Sequence, residues 1–199
     1  MSLSTAMEEE HPFRLILVLG CAILLPIVAY HRLKSQLAGD RLDRRQEGFF
    51  ILATLRPVGA LCMLGLIAYM IDPTWMAWSK VALPRWLRWT GVALGTVAGF
   101  LLIWTLRSLG RNLTDTVVTR KEHTLVTHGP YRLVRHPFYL AAALAIAANA
   151  LAAANWFVLG TGALALVLIA IRTRKEEELL LARFGEAYRS YRERTGRFV

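Results

Sequence analysis

Apolar segments of membrane-spanning length are the feature that most constrains the fold of this 199-residue chain. A helix needs roughly 20 apolar residues to cross about 30 Å of hydrocarbon, and the longer segments reach that length. No alternation of apolar and polar residues is long enough to build a sheet. The sequence therefore predicts an all-α, polytopic integral membrane protein with five transmembrane helices. They are expected at about residues 13–31, 49–71, 87–106, 138–153 and 156–171, the last two forming a tight hairpin.

Basic residues cluster between and after the apolar segments, at residues 32–48, 107–136 and 172–199. The start of the chain is acidic, and the connection at residues 72–86 is sparsely basic. Because positive charge favours cytoplasmic loops, five spans place the N-terminus outside and the C-terminus in the cytoplasm. The formal net charge of +10 therefore indicates a lipid bilayer with anionic headgroups as the partner of these residues, and not nucleic acid.

Few residues inside the predicted spans invite a chemical interpretation. Arg56, followed by Pro57, falls within the second span, where a charged side chain is costly and therefore a candidate for binding substrate. The alternative is a side chain that reaches the cytoplasmic interface from a proline-kinked helix. Cys21 and Cys62 lie in apolar segments without further ligating residues beside them, so no metal site is predicted.

Three glycines of the third predicted span recur at every fourth residue: Gly91, Gly95 and Gly99. Residues with this spacing lie on one face of a helix, where the lack of side chains lets a neighbouring helix approach closely. The pattern therefore predicts a helix packed tightly against this face.

The segment HGPYRLVRHPFYL, residues 128–140, concentrates polar and ring-bearing groups in an otherwise apolar chain. Gly129 and Pro130 predict a turn. Pro137 suits the first turn of a helix, where a missing backbone N–H costs nothing. The segment therefore predicts a turn followed by a helix that begins near His136.

This helix start has the chemistry of a ligand site. Free backbone N–H groups there, beside Arg135 and His136, can bind a carboxylate or a phosphate. The rings of Tyr131, Phe138 and Tyr139 offer flat apolar faces suited to an adenine ring or a sugar edge. Each residue alone has a structural explanation, but their concentration favours a site for a charged, nucleotide-like ligand.

The tail IRTRKEEELLLARFGEAYRSYRERTGRFV predicts an amphipathic helix that continues the fifth span into the cytoplasm. Arg172 and Glu176 are four residues apart and so share one helix face near the bilayer. From this pattern alone, a solvated ion pair is the better explanation. An apolar stripe that can pack on the protein or on the headgroup layer is formed by Leu180, Phe184, Tyr188 and Tyr191.

Residues 107–195 combine the motif RHPFY, an apolar hairpin, an EE pair and then LLLARFGEAYRSY. In this combination and spacing the chain resembles the isoprenylcysteine carboxyl methyltransferase family. More broadly, it is similar to the membrane methyltransferases that include phospholipid N-methyltransferases. The resemblance divides the chain into two parts. Residues 1–106 hold the first three helices and are expected to provide substrate access, and residues 107–199 form the methyltransferase core.

The resemblance implies that S-adenosylmethionine is used without a soluble Rossmann-like domain, and no glycine-rich strand-to-helix turn occurs in the sequence. In this family the arginine and glutamate that match Arg172 and Glu176 face the reacting substrate. These two are therefore expected to be catalytic and to bind substrate. The expected cofactor-binding residues are Thr116, His123, Thr124, Leu125, Val126, Tyr131, His136, Pro137, Phe138 and Tyr139, with Arg135 among them from the helix-start argument.

Methyl transfer from a sulfonium is an in-line displacement, so an enzyme mainly holds nucleophile and methyl about 3 to 3.5 Å apart and excludes water. No metal is required. Arg172 would orient a carboxylate acceptor with the support of Glu176, or Glu176 would accept a proton from an amine. A lipophilic acceptor is expected to enter sideways from the bilayer. Because five spans resemble prokaryotic members, we expect the inner membrane and an active site at its cytoplasmic face.

The acceptor is left open by the sequence: a prenylcysteine carboxylate, a phospholipid amine, a small thiol or another lipophilic molecule would all serve. Two other classes of function compete with methyl transfer. A membrane reductase of the sterol-reductase type carries a similar arginine-histidine and tyrosine pattern but binds NADPH, usually in longer chains. A non-catalytic membrane protein would use the same residues for structure alone.

Overall fold

The structure is a computed structural model that describes residues 3–37, 51–110 and 124–198. In chain order its elements are α1 (Leu3–Leu37), a π-helical segment (Ile51–Leu55) that runs into α2 (Arg56–Ile71), a 3-10 helix (Pro73–Ser79), α3 (Arg85–Leu109), a second 3-10 helix (Gly129–Arg132), α4 (Pro137–Ala153), α5 (Trp156–Phe184) and α6 (Glu186–Arg194). Within these described ranges the β-structure is limited to isolated bridges. The predicted all-α class is confirmed.

Four helices are long and apolar enough to cross a membrane: Glu8–Ser35, Ala53–Ile71, Arg85–Leu109 and Trp156–Phe184. The chain is therefore an integral membrane protein, as predicted. The remaining apolar helix, α4, has 17 residues. At about 1.5 Å per residue it is roughly 26 Å long, slightly less than the hydrocarbon thickness of about 30 Å. A fifth span at α4 stays a prediction.

Apolar side chains cover the outward surfaces of these helices. Phe100 of α3 is 74% exposed, and Ile23 of α1 and Leu64 of α2 are each 60% exposed. Apolar surface of this extent is unfavourable in water but suits contact with lipid chains. The exposed faces therefore agree with a bilayer as the solvent of the bundle.

Glycine allows α3 to pack closely on α4. A Cβ atom at Gly91 would lie 2.9 Å from the carbonyl oxygen of Ala148 and 2.9 Å from the amide nitrogen of Ala152. One turn later Gly95 also faces Ala148, whereas Gly99 faces α1. The predicted close approach is therefore confirmed, and the glycine face serves two neighbouring helices.

Gly91→Ala is expected to lower the free energy of unfolding by about 1 to 3 kcal/mol, because backbone atoms of α4 cannot move aside for the added methyl group. Gly95→Ala is the matched control, since its Cβ would lie 3.5 Å from the Cβ of Ala148, an ordinary contact. Thermal unfolding of both variants in detergent measures the difference. Equal unfolding temperatures would contradict the close packing of α3 on α4.

Asn155 turns the chain from α4 into α5. Ala154 ends α4 in the left-handed region, with φ of 47°. The Oδ1 of Asn155 accepts hydrogen bonds from the N–H groups of Phe157 (3.0 Å) and Val158 (3.1 Å), while its Nδ2 donates to Ser79 Oγ (2.8 Å). The predicted tight hairpin is confirmed, and it brings the start of α4 and the second half of α5 to the same end of the bundle.

At the other end of the bundle, a buried charged cluster joins α1, α2 and α3. The Nη2 of Arg88 donates to Glu10 Oε2 at 2.6 Å, and the Tyr69 hydroxyl donates to the same oxygen at 2.7 Å. The Nε of Arg88 donates to the carbonyl of Ala152 at 3.0 Å, and Lys80 Nζ lies 2.7 Å from Glu10 Oε1. We call Glu10, Tyr69, Lys80 and Arg88 the Glu10 cluster.

Candidate functional site

The turn at Gly129 places the predicted binding segment against the end of α3. Gly129 has a φ of 63°, a left-handed conformation that favours glycine. A Cβ atom there would collide with Ser108 Oγ of α3. The chain then reaches His136, the residue that precedes α4, and Pro137 takes the first helical position. The predicted turn and helix start are confirmed.

Glu177 of α5 is the centre of a second buried charged cluster. Its Oε1 accepts hydrogen bonds from Arg135 Nε (3.2 Å) and Arg197 Nε (3.1 Å), and it lies 3.1 Å from His136 Nε2. Its Oε2 pairs with Arg197 Nη2. The side chain is only 5% exposed, and a buried carboxylate requires several such partners. We call Arg135, His136, Glu177 and Arg197 the Glu177 cluster.

Residues 195–198, the tail segment, lie along the start of α4. The backbone N–H of Arg135 donates to the carbonyl of Gly196 at 2.9 Å, and that of His136 donates to the carbonyl of Arg197 at 3.3 Å. The sequence predicted that N–H groups at this helix start would be free to bind an anion. In the structure these two donors have partners within the protein, because the chain returns from α6 to the same place.

The predicted catalytic glutamate meets the predicted cofactor segment. The hydroxyl of Tyr139 donates a hydrogen bond to Glu176 Oε2 at 2.6 Å. The ring of Tyr139 stacks on His136, with centroids 5.4 Å apart and planes 15° apart, and stands edge-on to Phe138. Arg172 is half-buried one turn before Glu176 on α5. The structure thus brings together residues from both motifs on which the resemblance depends.

Helix α6 packs its tyrosines inward. The Tyr191 hydroxyl donates to the carbonyl of Tyr131 at 2.6 Å, and burial raises the pKa of Tyr191 to about 12, so it stays protonated. Tyr188 is also buried. The apolar stripe was predicted to pack either on the protein or on the headgroup layer. Its two tyrosines pack on the protein.

The other predicted site residues belong to the segment before Gly129 and to α2. Thr116 and His123 lie outside the described residues. Thr124, Leu125 and Val126 form an irregular segment before the turn at Gly129, and Arg56 is exposed at the start of α2. The part of each predicted residue in binding cofactor or substrate stays a prediction.

The described side chains suit a ligand with an aromatic and a polar part. Burial, with the negative charge of Glu176, raises the pKa of Tyr131, so its hydroxyl remains neutral. The buried hydroxyl of Tyr188 has no hydrogen-bond partner among the described residues. Such an unsatisfied group costs about 1 to 3 kcal/mol. In the described ranges no group of three or more ligating side chains could hold a metal ion.

Residues 91–182 match the family model described as the isoprenylcysteine carboxyl methyltransferase (ICMT) family. The resemblance to the ICMT family is confirmed. The matched segment contains α4, the whole predicted cofactor segment, Arg172 and both glutamates of the EE pair, and it ends before α6 and the tail segment. The comparison therefore covers the ICMT motifs but not the residues that close the Glu177 cluster.

A solved structure of the eukaryotic intramembrane Ras methyltransferase ICMT, without a monobody, shares the fold of this chain. The TM-score is 0.55 and the sequence identity is 23%, over 72% of this chain and 51% of that one. The chain thus spans about half the length of this ICMT structure. No curated protein matches the chain.

Sequence reasoning missed two members of the Glu177 cluster. Glu177 was visible as the second of three consecutive glutamates, but Glu176 is the one that shares a helix face with Arg172. Consecutive helix residues point about 100° apart, so the pair reaches two different partners: Tyr139 for Glu176 and His136 for Glu177. Arg197 carried no signal in the sequence, because its contact depends on the return of the chain after α6.

Proposed function

We propose that the chain is an integral membrane methyltransferase that uses S-adenosylmethionine and acts on a lipophilic acceptor, most like an isoprenylcysteine carboxyl O-methyltransferase. The observation that carries this proposal is the 2.6 Å hydrogen bond from Tyr139 to Glu176. It joins the segment expected to hold the cofactor to the helix expected to face the acceptor. The family match over residues 91–182 supports the same chemistry.

Each part of the site has a role in this proposal. The rings of Tyr131, Phe138 and Tyr139 provide flat faces for the cofactor, in the company of residues 116 and 123–126 from the preceding segment. When bound, S-adenosylmethionine supplies a methyl group on a positively charged sulfur. Glu176, held by Tyr139, supports Arg172 in orienting a carboxylate acceptor or accepts a proton from an amine. Exclusion of water and alignment of the acceptor supply the rest of the acceleration.

The proposed topology has five spans, with the N-terminus outside and the Glu177 cluster at the cytoplasmic face. Helix α4 supports it, because it begins at the Glu177 cluster and its Ala152 carbonyl accepts hydrogen bonds from Arg88 of the Glu10 cluster. Tryptophans favour membrane interfaces, and several are exposed around the Glu10 cluster. They are Trp75, Trp78, Trp86, Trp89 and Trp156.

In this arrangement residues 1–106 provide access for the acceptor from the bilayer and residues 107–199 form the catalytic core. Arg56 lies at the start of α2, directly after the π-helical segment, and that segment packs against α5. We propose that Arg56 lies where a negatively charged acceptor enters the site. The basic loops and tail support a site at the cytoplasmic face. The prokaryotic inner membrane is proposed because a chain of five spans resembles the prokaryotic members.

The proposal is tested by incubating membranes that contain the protein with methyl-labelled S-adenosylmethionine and N-acetyl-S-farnesylcysteine. Label in a lipid-extractable product, above membranes without the protein, is the expected result. Alkali then releases methanol from a carboxyl ester but not from a methylated amine or thiol, which separates a carboxylate acceptor from the other two. No labelled product from the added acceptor or from endogenous lipid would contradict methyl transfer. NADPH oxidation in the same membranes would favour the reductase.

A further inference from the structure

Arg197 of the tail segment lies outside the matched family segment and outside the residues predicted from the motifs, yet it reaches the centre of the site. Its Nε donates to Glu177 Oε1 at 3.1 Å, and its Nη2 pairs with Glu177 Oε2. The guanidinium therefore fixes both oxygens of the buried carboxylate, and a bidentate pair of this kind sets orientation as well as charge. Hydrogen bonding to Glu177 also raises the pKa of Arg197, so its charge is permanent.

Glu177 in turn helps to fix the position of His136. The Oε1 atom that accepts from Arg197 lies 3.1 Å from His136 Nε2. On its other sides the imidazole stacks on the Tyr139 ring and lies 6.0 Å, between centroids, from the ring of Phe198 in the tail segment. The orientation of His136 is thus determined by one carboxylate and two rings, and two of these three partners depend on the tail segment.

The last contact reaches the residue expected to be catalytic. Tyr139 stacks on His136 and donates its hydroxyl to Glu176 at 2.6 Å. A continuous series of contacts therefore runs from Arg197 through Glu177, His136 and Tyr139 to Glu176. Because each contact is a stack or a hydrogen bond between buried or half-buried groups, a displacement at one end changes the geometry at the other.

We infer that Arg197 is a positioning residue for the methyl-transfer site, acting through Glu177 on His136 and Tyr139; this inference rests on the proposed function. Arg197 is 41% exposed. When Arg197 is lost, the buried Glu177 carboxylate keeps Arg135 and His136 as partners, so the main effect is on the geometry of the buried side. The loss of Arg197 should therefore weaken cofactor binding more than it weakens the fold.

The test compares Arg197→Met, Arg197→Lys and the control Arg189→Met. Arg189 lies on α6 and is 61% exposed beside an exposed Glu186, so its loss removes the same charge without touching the Glu177 cluster. Binding of S-adenosylmethionine to the purified protein in detergent is measured by titration calorimetry. We expect about 10-fold weaker binding for Arg197→Met, with unfolding temperature within about 3 °C of the wild type. Lysine retains the charge but not the paired N–H groups, so it should recover only part of the lost affinity.

A second measurement does not require the cofactor. Hydrogen exchange without ligand should be faster in Arg197→Met at the amides of Arg135 and His136, whose N–H groups donate to the tail segment. Wild-type affinity and exchange in Arg197→Met would overturn the inference while leaving methyl transfer intact. It would also be overturned by a loss of affinity that follows a fall in unfolding temperature and is not restored by lysine. Absence of S-adenosylmethionine binding by the wild type would instead overturn the proposed function and the inference with it.

Discussion

Glu176→Gln is expected to reduce the rate of methyl transfer by about 100-fold while changing the affinity for S-adenosylmethionine little. The glutamine keeps the size of the side chain but removes the charge that would act on Arg172 or accept a proton. It also replaces one carboxylate oxygen with an amide, so the hydrogen bond from Tyr139 weakens. The measurement is the initial rate of label transfer from S-adenosylmethionine at saturating cofactor.

Glu178→Gln is the matched control, since Glu178 is exposed two residues further along α5. It removes the same charge and should retain the wild-type rate. The rate of Tyr139→Phe should lie between those of Glu176→Gln and Glu178→Gln, about 5- to 10-fold below the wild-type rate. This variant removes one hydrogen bond and keeps the stacked ring. A Glu176→Gln rate close to that of Glu178→Gln would remove Glu176 from the mechanism.

Arg88→Met is expected to lower the free energy of unfolding by about 3 to 5 kcal/mol, the typical cost of removing one partner from a buried ion pair. Glu10 would keep Lys80 and Tyr69 as partners but lose both N–H donors of Arg88, and the Ala152 carbonyl would lose its contact with α3. The change is measured by chemical denaturation in detergent, followed by tryptophan fluorescence.

Arg85→Met provides the control for Arg88, because Arg85 is exposed at the first position of the same helix. Its free energy of unfolding should be close to that of the wild type. The double variant Arg88→Met with Glu10→Gln should lose less free energy of unfolding than the two single variants lose together. Both changes remove the same interaction, so its loss is counted only once. Stability equal to that of Arg85→Met would show that the Glu10 cluster does not hold α1 and α3 together.

The helices could be predicted because membrane length and apolar composition constrain them strongly. Segments near the observed α2, α3 and α5 follow from that alone, and the turn chemistry of Gly129 and Pro137 places the start of α4 correctly. Charges inside the spans were harder to interpret. Arg56 was the arginine noted inside a predicted span, as a substrate-binding candidate or a side chain that reaches the interface. It is exposed at the start of α2, whereas Arg88 is buried.

Arg88 was missed for a physical reason: it belongs to a pair whose members are 78 residues apart. Its partner Glu10 looked like one of three acidic residues that set topology. Helix periodicity describes contacts within one segment, so it identified the shared face of Arg172 and Glu176. It could not show that residues 195–198 return to the start of α4, where they accept hydrogen bonds from the N–H groups of Arg135 and His136.

The site is proposed to hold S-adenosylmethionine, and direct titration tests this most simply. The purified chain in detergent is titrated with S-adenosylmethionine, with its demethylated product S-adenosylhomocysteine, and with NADPH. Saturable binding of the first two, without binding of NADPH, is the predicted result. Binding of NADPH alone would contradict the claim in favour of a reductase, and binding of none of the three would contradict it in favour of a non-catalytic membrane protein.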